Sequence, residues 1–194
     1  MKQVKRLLLM VLATVVSMTV MAQSSDKLYA EGKKLYDAKN YAAAFPKLKA
    51  AAEKGHKKAQ YRLGRCYDKG HGTAENDQLA AQWYEKSASQ GYAKAQYQLG
   101  KCYKDGEGVS KDRAKAFELF MKAAKQENAE GEYAVGKAYF KGKGVAADKA
   151  QAKKWLLRAV KNEKGGDEVL ADLRKDAADG EEDAKAMLAL IGKK

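Results

Sequence analysis

The chain has 194 residues, 45% of them hydrophobic, and its 38 Lys and Arg outweigh 25 Asp and Glu for a formal net charge of +13. That length admits one sizeable domain, and the excess of cations favours acidic partners over basic ones. Two histidines and two cysteines leave little material for a metal centre or a thiol-based reaction.

The first six residues, Met1 to Arg6, carry three cations and precede an apolar run from Leu7 to Ala22. A basic start, a short apolar core and small residues before a break predict a secretory signal, residues 1–22, cut after Ala22. Sixteen apolar-run residues fall short of the ~20 that a spanning helix needs, so cleavage is expected rather than an uncleaved anchor. No integral membrane span is expected after that cut, and no cysteine stands at the break to carry a lipid. The mature chain is expected in the periplasm or secreted, which weighs against nucleic acid as its partner. Charge is uneven along it. Residues 167–194 hold eight acids and five bases, which leaves +13 on residues 23–166.

Ser24, Ser25 or Asp26 can cap a helix running to about Ala38, and Asn40 a second through about Lys54, with Gly55 as its stop. Residues 23–58 thus read as a first helical hairpin, in which Pro46 is expected to bend the second axis. Beyond it the stretch Ala59–Gly72 returns as Ala95–Gly108 and more loosely as Gly131–Gly144, at a constant offset of 36 residues. The repeats span 59–94, 95–130 and 131–166. Asn40, Asn76, Asp112 and Asp148 keep the same 36-residue interval where a side-chain oxygen can cap a helix. Second helices are expected at about 77–89, 113–125 and 149–161, with large and small apolar residues alternating on one face. Trp83 and Trp155 belong to that face as core residues. A fixed period of this length predicts an all-α fold, a right-handed solenoid of antiparallel helix pairs. Two acidic helices, about 167–178 and 182–191, are expected to cap its last repeat.

The pattern A-x-Y-x-(L/V)-G-x-x-Y-x-x-G-x-G resembles the Sel1-like repeat, a relative of the tetratricopeptide repeat. Here Tyr61, Leu63, Gly64, Tyr67, Gly70 and Gly72 carry it, and residues at the same spacing carry the later copies, with Val135 replacing leucine in the third. The first hairpin looks like a tetratricopeptide unit with a shorter inner turn. The resemblance implies helical hairpins that serve as protein-binding scaffolds and adaptors. Ser110 and Ala146 stand where the family often has proline, which affects loop stiffness. Some secreted relatives carry a disulfide within each repeat, but the partner cysteines are absent here.

Cys66 and Cys102 are themselves 36 apart. Equivalent positions in stacked helices lie about 8–10 Å apart, beyond the ~7 Å Cα limit of an unstrained disulfide, so two buried thiols are expected. A zinc site from His56, Cys66, His71 and Cys102 matches no ligand spacing. There is no H-E-x-x-H, C-x-x-C, G-x-S-x-G or Walker-type run, and the G-x-G pairs lie between helices rather than after a strand. No catalytic, cofactor-binding or metal residue is assigned, and a cell-wall-related hydrolase is the least supported reading.

One constellation does recur. A basic residue follows the glycine of each hairpin (Lys33, Arg65, Lys101, Lys137), and a tyrosine stands three residues before it (Tyr29, Tyr61, Tyr97, Tyr133). Lys69, Lys104 and Lys141 come one turn further along. On first helices lining a concave surface, such positions would form a ladder suited to an acidic, extended protein or peptide segment. An anionic polymer or glycan of the cell envelope is the alternative. Tyrosine in this motif also packs, and lysine on a helix also simply solvates, so both roles stay open.

Overall fold

The computed structural model describes residues 24–193. The expected export signal lies outside them. Ten helices, and no strand, occur among the described residues. They are α1 (24–37), α2 (Tyr41–Glu53), α3 (Lys57–Asp68), α4 (Asp77–Ser89) and α5 (Ala93–Asp105). There follow α6 (Arg113–Ala124), α7 (Ala129–Lys141), α8 (Lys149–Val160), α9 (Gly166–Ala178) and α10 (Glu182–Leu190). The four caps expected at 36-residue intervals all form. Asn40 accepts from the Ala43 amide, Asn76 from Leu79, Asp112 from Lys115, and Asp148 from Ala150 and Gln151. Sequence reasoning missed two further caps, His56 on the Ala59 amide and Asn128 on the Gly131 amide, which open α3 and α7. Pro46 lies inside α2 on its exposed side, so its missing donor costs the core nothing.

The chain forms two compact units, one up to Lys86 and one from Ser87. The first buries Tyr36, Leu48, Leu63 and Cys66 among alanines of α2 and α3, with Trp83 packed partly against them. Burial pushes the Cys66 thiol up to about 11, so it is an inert packing group. Cys66 and Cys102 are both buried and unbridged.

In the second unit α5 packs on α6, α6 on α7, and α7 on α8, while α9 and α10 pair and rest against α7 and α8. One cluster centres on Phe120 and Val135, another on Leu156, Leu173, Met187 and Ile191. The motif glycine sets how closely the paired helices approach. A Cβ on Gly100 would sit 2.6 Å from the Phe120 ring, and one on Gly136 would sit 2.8 Å from the Leu156 side chain. The second glycine of the turn has a different duty. Gly144 holds φ at +81°, and a Cβ there would overlap the Arg113 carbonyl oxygen at the start of α6. Gly144→Ala should therefore destabilise the second unit by at least about 2 kcal/mol, read from urea unfolding.

A buried polar position marks each hairpin junction. Gln60 donates its side-chain amide to the Ala52 carbonyl at 3.2 Å, and Gln96 donates to Ala88 at 3.3 Å. The third copy has Glu132, which cannot donate, and it is fully buried. Arg158 of α8 takes over, with Nε 2.5 Å from Glu132 Oε1 and a terminal nitrogen 3.4 Å from the Ala124 carbonyl. Asn162 adds a 2.9 Å hydrogen bond to the other carboxylate oxygen. Removing Arg158 strands a buried charge, so Arg158→Ala should cost about 2–3 kcal/mol. In a Glu132→Gln background, where the amide can reach Ala124 as its counterparts do, the same truncation should cost less than about 1 kcal/mol. Equal costs in the two backgrounds would show that the pair is not coupled.

Candidate functional site

Within the second unit a cavity of about 450 Å³ opens between α5, α6 and α7. Residues 97, 101 and 104 share one face of α5, and 133, 137 and 141 share one face of α7, because three- and four-residue steps stay on one side of a helix. Tyr97, Lys101 and Lys104 therefore line one wall, and Tyr133, Lys137 and Lys141 the other. Ala116, Phe117 and Phe120 of α6 lie between them as an apolar floor, with Ala134 and Ala138 of α7 continuing it. Lys111, Arg113 and Lys143 complete the rim. Seven cations thus surround the cavity, against one carboxylate, Asp105, which lies 3.2 Å from Lys104.

The walls are electrostatically strained in one direction. Burial, and then the neighbouring Lys141 charge, hold the Lys137 ammonium below the usual lysine range. Its Nζ sits 5.7 Å from the Tyr133 ring centroid. Burial, and then the Asp176 carboxylate, push the Tyr133 phenol up to about 12, so it stays a neutral donor. Tyr97 leans on Phe120 with ring centroids 5.8 Å apart, so this tyrosine both packs and lines the cavity. Such a site can hold carboxylates or phosphates by charge and cover an apolar side chain on its floor.

The five positions expected in the first unit meet local partners instead. Tyr29 stacks on His56 with centroids 4.2 Å apart, and Tyr61 lies 6.0 Å from the Tyr84 ring. Lys33 reaches Asp37 at 2.6 Å, and Arg62 reaches the same carboxylate at 3.1 Å. The Arg65 guanidinium lies over the Tyr36 ring at 5.9 Å. Lys69 is the residue closing α3 and lies 3.5 Å from Asp68. Two of the four rungs of the expected basic ladder, Lys101 and Lys137, meet in the second unit's cavity.

Sequence reasoning missed Lys111, Arg113 and Lys143 because it followed only the first helices. Their signal was position: Lys111 and Arg113 flank the Asp112 cap, and Lys143 is the middle residue of a G-x-G turn. The histidines serve structure. His71 stacks on Tyr41 at 3.8 Å with its Nδ1 2.9 Å from the Tyr36 hydroxyl. No group of three or more His, Cys, Asp or Glu side chains that could hold a metal occurs among the described residues. No described helix is long and apolar enough to cross a membrane.

Helical hairpins returning at a constant 36-residue interval define a helical-repeat protein. The Sel1 repeat matches residues 57–92, 93–128 and 129–163, and the chain belongs to that family. Each matched repeat starts two residues before the boundary drawn from the motif, at the onset of α3, α5 and α7. Among solved structures, a Sel1 repeat protein from Oxalobacter formigenes is 31% identical with a TM-score of 0.66, over 83% of this chain and 74% of that one. A protective antigen of uropathogenic Escherichia coli strains with an SLR fold is 24% identical with a TM-score of 0.69. This chain is covered to 91% in that match but spans about half, 48%, of the antigen. No curated protein matches. Proteins of the Sel1 repeat class generally act as protein-interaction scaffolds, and their fold is typically non-enzymatic.

Burial holds His56 and His71 below the usual imidazole range; the neighbouring Asp26 opposes this at His56, and the Arg65 charge reinforces it at His71. The unfolded chain then binds protons that the folded chain refuses, so stability falls as pH drops through about 6.5. The urea midpoint should be lower at about pH 5.5 than at about pH 7.5, and His71→Gln should flatten that dependence.

Proposed function

We propose that this Sel1 repeat protein is an exported, non-enzymatic adaptor that holds an acidic, extended segment of a partner protein in the cavity between α5, α6 and α7. The observation that carries this reading is the combination of seven cations on the rim with Phe117 and Phe120 on the floor. The cations supply orientation and encounter rate, and the floor supplies area that excludes water. An envelope polymer held by charge alone would leave that floor unused, which is why a peptide with an apolar anchor among its acids is preferred.

Reversing two wall charges tests it. Lys101 and Lys104 stand partly or wholly in solvent on one face of α5, so their replacement leaves the packed face intact. Lys101→Glu with Lys104→Glu should weaken binding of a labelled glutamate-rich peptide with one central phenylalanine by about tenfold or more, with helix content unchanged by circular dichroism. At molar salt, where the Debye length falls to about 3 Å, the wild-type protein should retain part of its affinity for that peptide and lose its affinity for an all-glutamate control. Loss of both together would favour the charge-only polymer, and unaltered affinity in the double variant would remove the site.

A further inference from the structure

The acidic end of the chain meets the basic cavity on one wall. Asp183, in the first turn of α10, pairs with the Lys141 ammonium, and the charges of Lys137 and Lys143 also bear on it. The charge of Asp176, in the last turn of α9, bears on Tyr133 and Lys137. Neither carboxylate lines the cavity, yet both address side chains that do. α9 packs on α7 and α8, and α10 pairs with α9, which brings both acids to the α7 wall.

Two consequences follow for Lys141. Its side chain is 22% exposed, so it is not dispersed in solvent but held toward α10. An ammonium engaged by one carboxylate is partly neutralised for a second, and an incoming acid must displace Asp183 or share Lys141 with it.

We infer that the Asp176–Asp183 edge of the C-terminal helix pair is a built-in competitor for the α7 wall, which an acidic partner segment displaces when it binds. This rests on the binding reading above and adds a regulatory element to it. The competitor is weak by construction. Asp183 is 47% exposed, and an exposed ion pair is worth a factor of about two to five in an equilibrium. The cap therefore tunes affinity rather than closing the site. It also sets selectivity, because only a segment that replaces the lost Lys141 contact recovers its worth; a neutral apolar peptide does not.

The experiment compares wild-type protein with Asp183→Asn and Glu182→Gln. Both substitutions remove one acid from the first turn of α10, but Glu182 pairs with Lys185 rather than with the cavity wall. Glu182→Gln thus controls for any loosening of α10 by lost helix-end charge. The first readout is acetylation of individual lysines, followed by mass spectrometry without any partner. Lys141 should label at least about twofold faster in Asp183→Asn and at the wild-type rate in Glu182→Gln. The second is affinity for the glutamate-rich peptide with a central phenylalanine, expected about two- to fivefold tighter in Asp183→Asn alone. Unchanged Lys141 labelling overturns the proposal, as does unchanged or weaker peptide affinity in Asp183→Asn. If the peptide binds, responds to the Lys101 and Lys104 reversals, and yet ignores Asp183, only the competitor falls. If no variant binds the peptide while Lys141 labelling still rises, the binding reading fails and the competitor fails with it, leaving only an ion pair.

Discussion

Close approach of two helices at a glycine is the constraint on which each hairpin depends. Gly64 lies under the Tyr84 ring, Gly100 under Phe120 and Gly136 under Leu156, each within a distance no Cβ would tolerate. Because the glycine contributes no side chain, the large residue from the second helix fills the space and the axes draw together. The flanking motif residues then have set destinations. Leu63, Leu99 and Val135 go into the core one residue before the glycine, while the basic residue after it is turned outward, half-buried. A packing rule on one side of the helix thereby creates a repeated cation on the other.

That coupling gathers lysines and tyrosines on the walls of one hollow. Between α5 and α7 the outward-turned lysines face each other across an aromatic floor, and mutual repulsion with burial raises the free energy of the unliganded state. An acidic segment bound there, as proposed above, would relieve that tension. The C-terminal helices already relieve part of it through Asp183 and Asp176, so the cap that hides the last apolar face also bears on the charge of the surface beside it.

The third repeat shows how far a repeat can drift while keeping its geometry. Where the chain enters the first two repeats just past Gly55 and Gly91 at positive φ, it enters the third just past Glu127 at +59°, a conformation that is strained for a residue with a side chain. Where the first two place a glutamine that donates to a carbonyl of the preceding hairpin, the third places Glu132, which meets Arg158 and Asn162 at the far end of its own repeat. Arg158 in turn reaches the Ala124 carbonyl of the preceding hairpin, so the link between repeats that glutamine makes directly elsewhere passes here through α8.

The helices, the turn glycines and the four caps at 36-residue intervals were legible in the chain because each depends on residues within about four positions, and the register repeats the signal. The cavity was legible in part. Its six first-helix residues follow from helical spacing, whereas Lys111, Arg113, Lys143 and the phenylalanine floor come from other elements that only packing brings together. The fate of individual charges was not legible at all. Lys33 and Lys137 occupy the same place in the motif, yet one meets Asp37 on its own helix and the other is half-buried beside Lys141. Sequence by itself determined the hairpins, their register and which faces would be basic, since those are local and periodic properties. Tertiary structure alone decided which basic residues share a hollow and which are already engaged, because Coulomb energy depends on distance and burial that no linear spacing encodes.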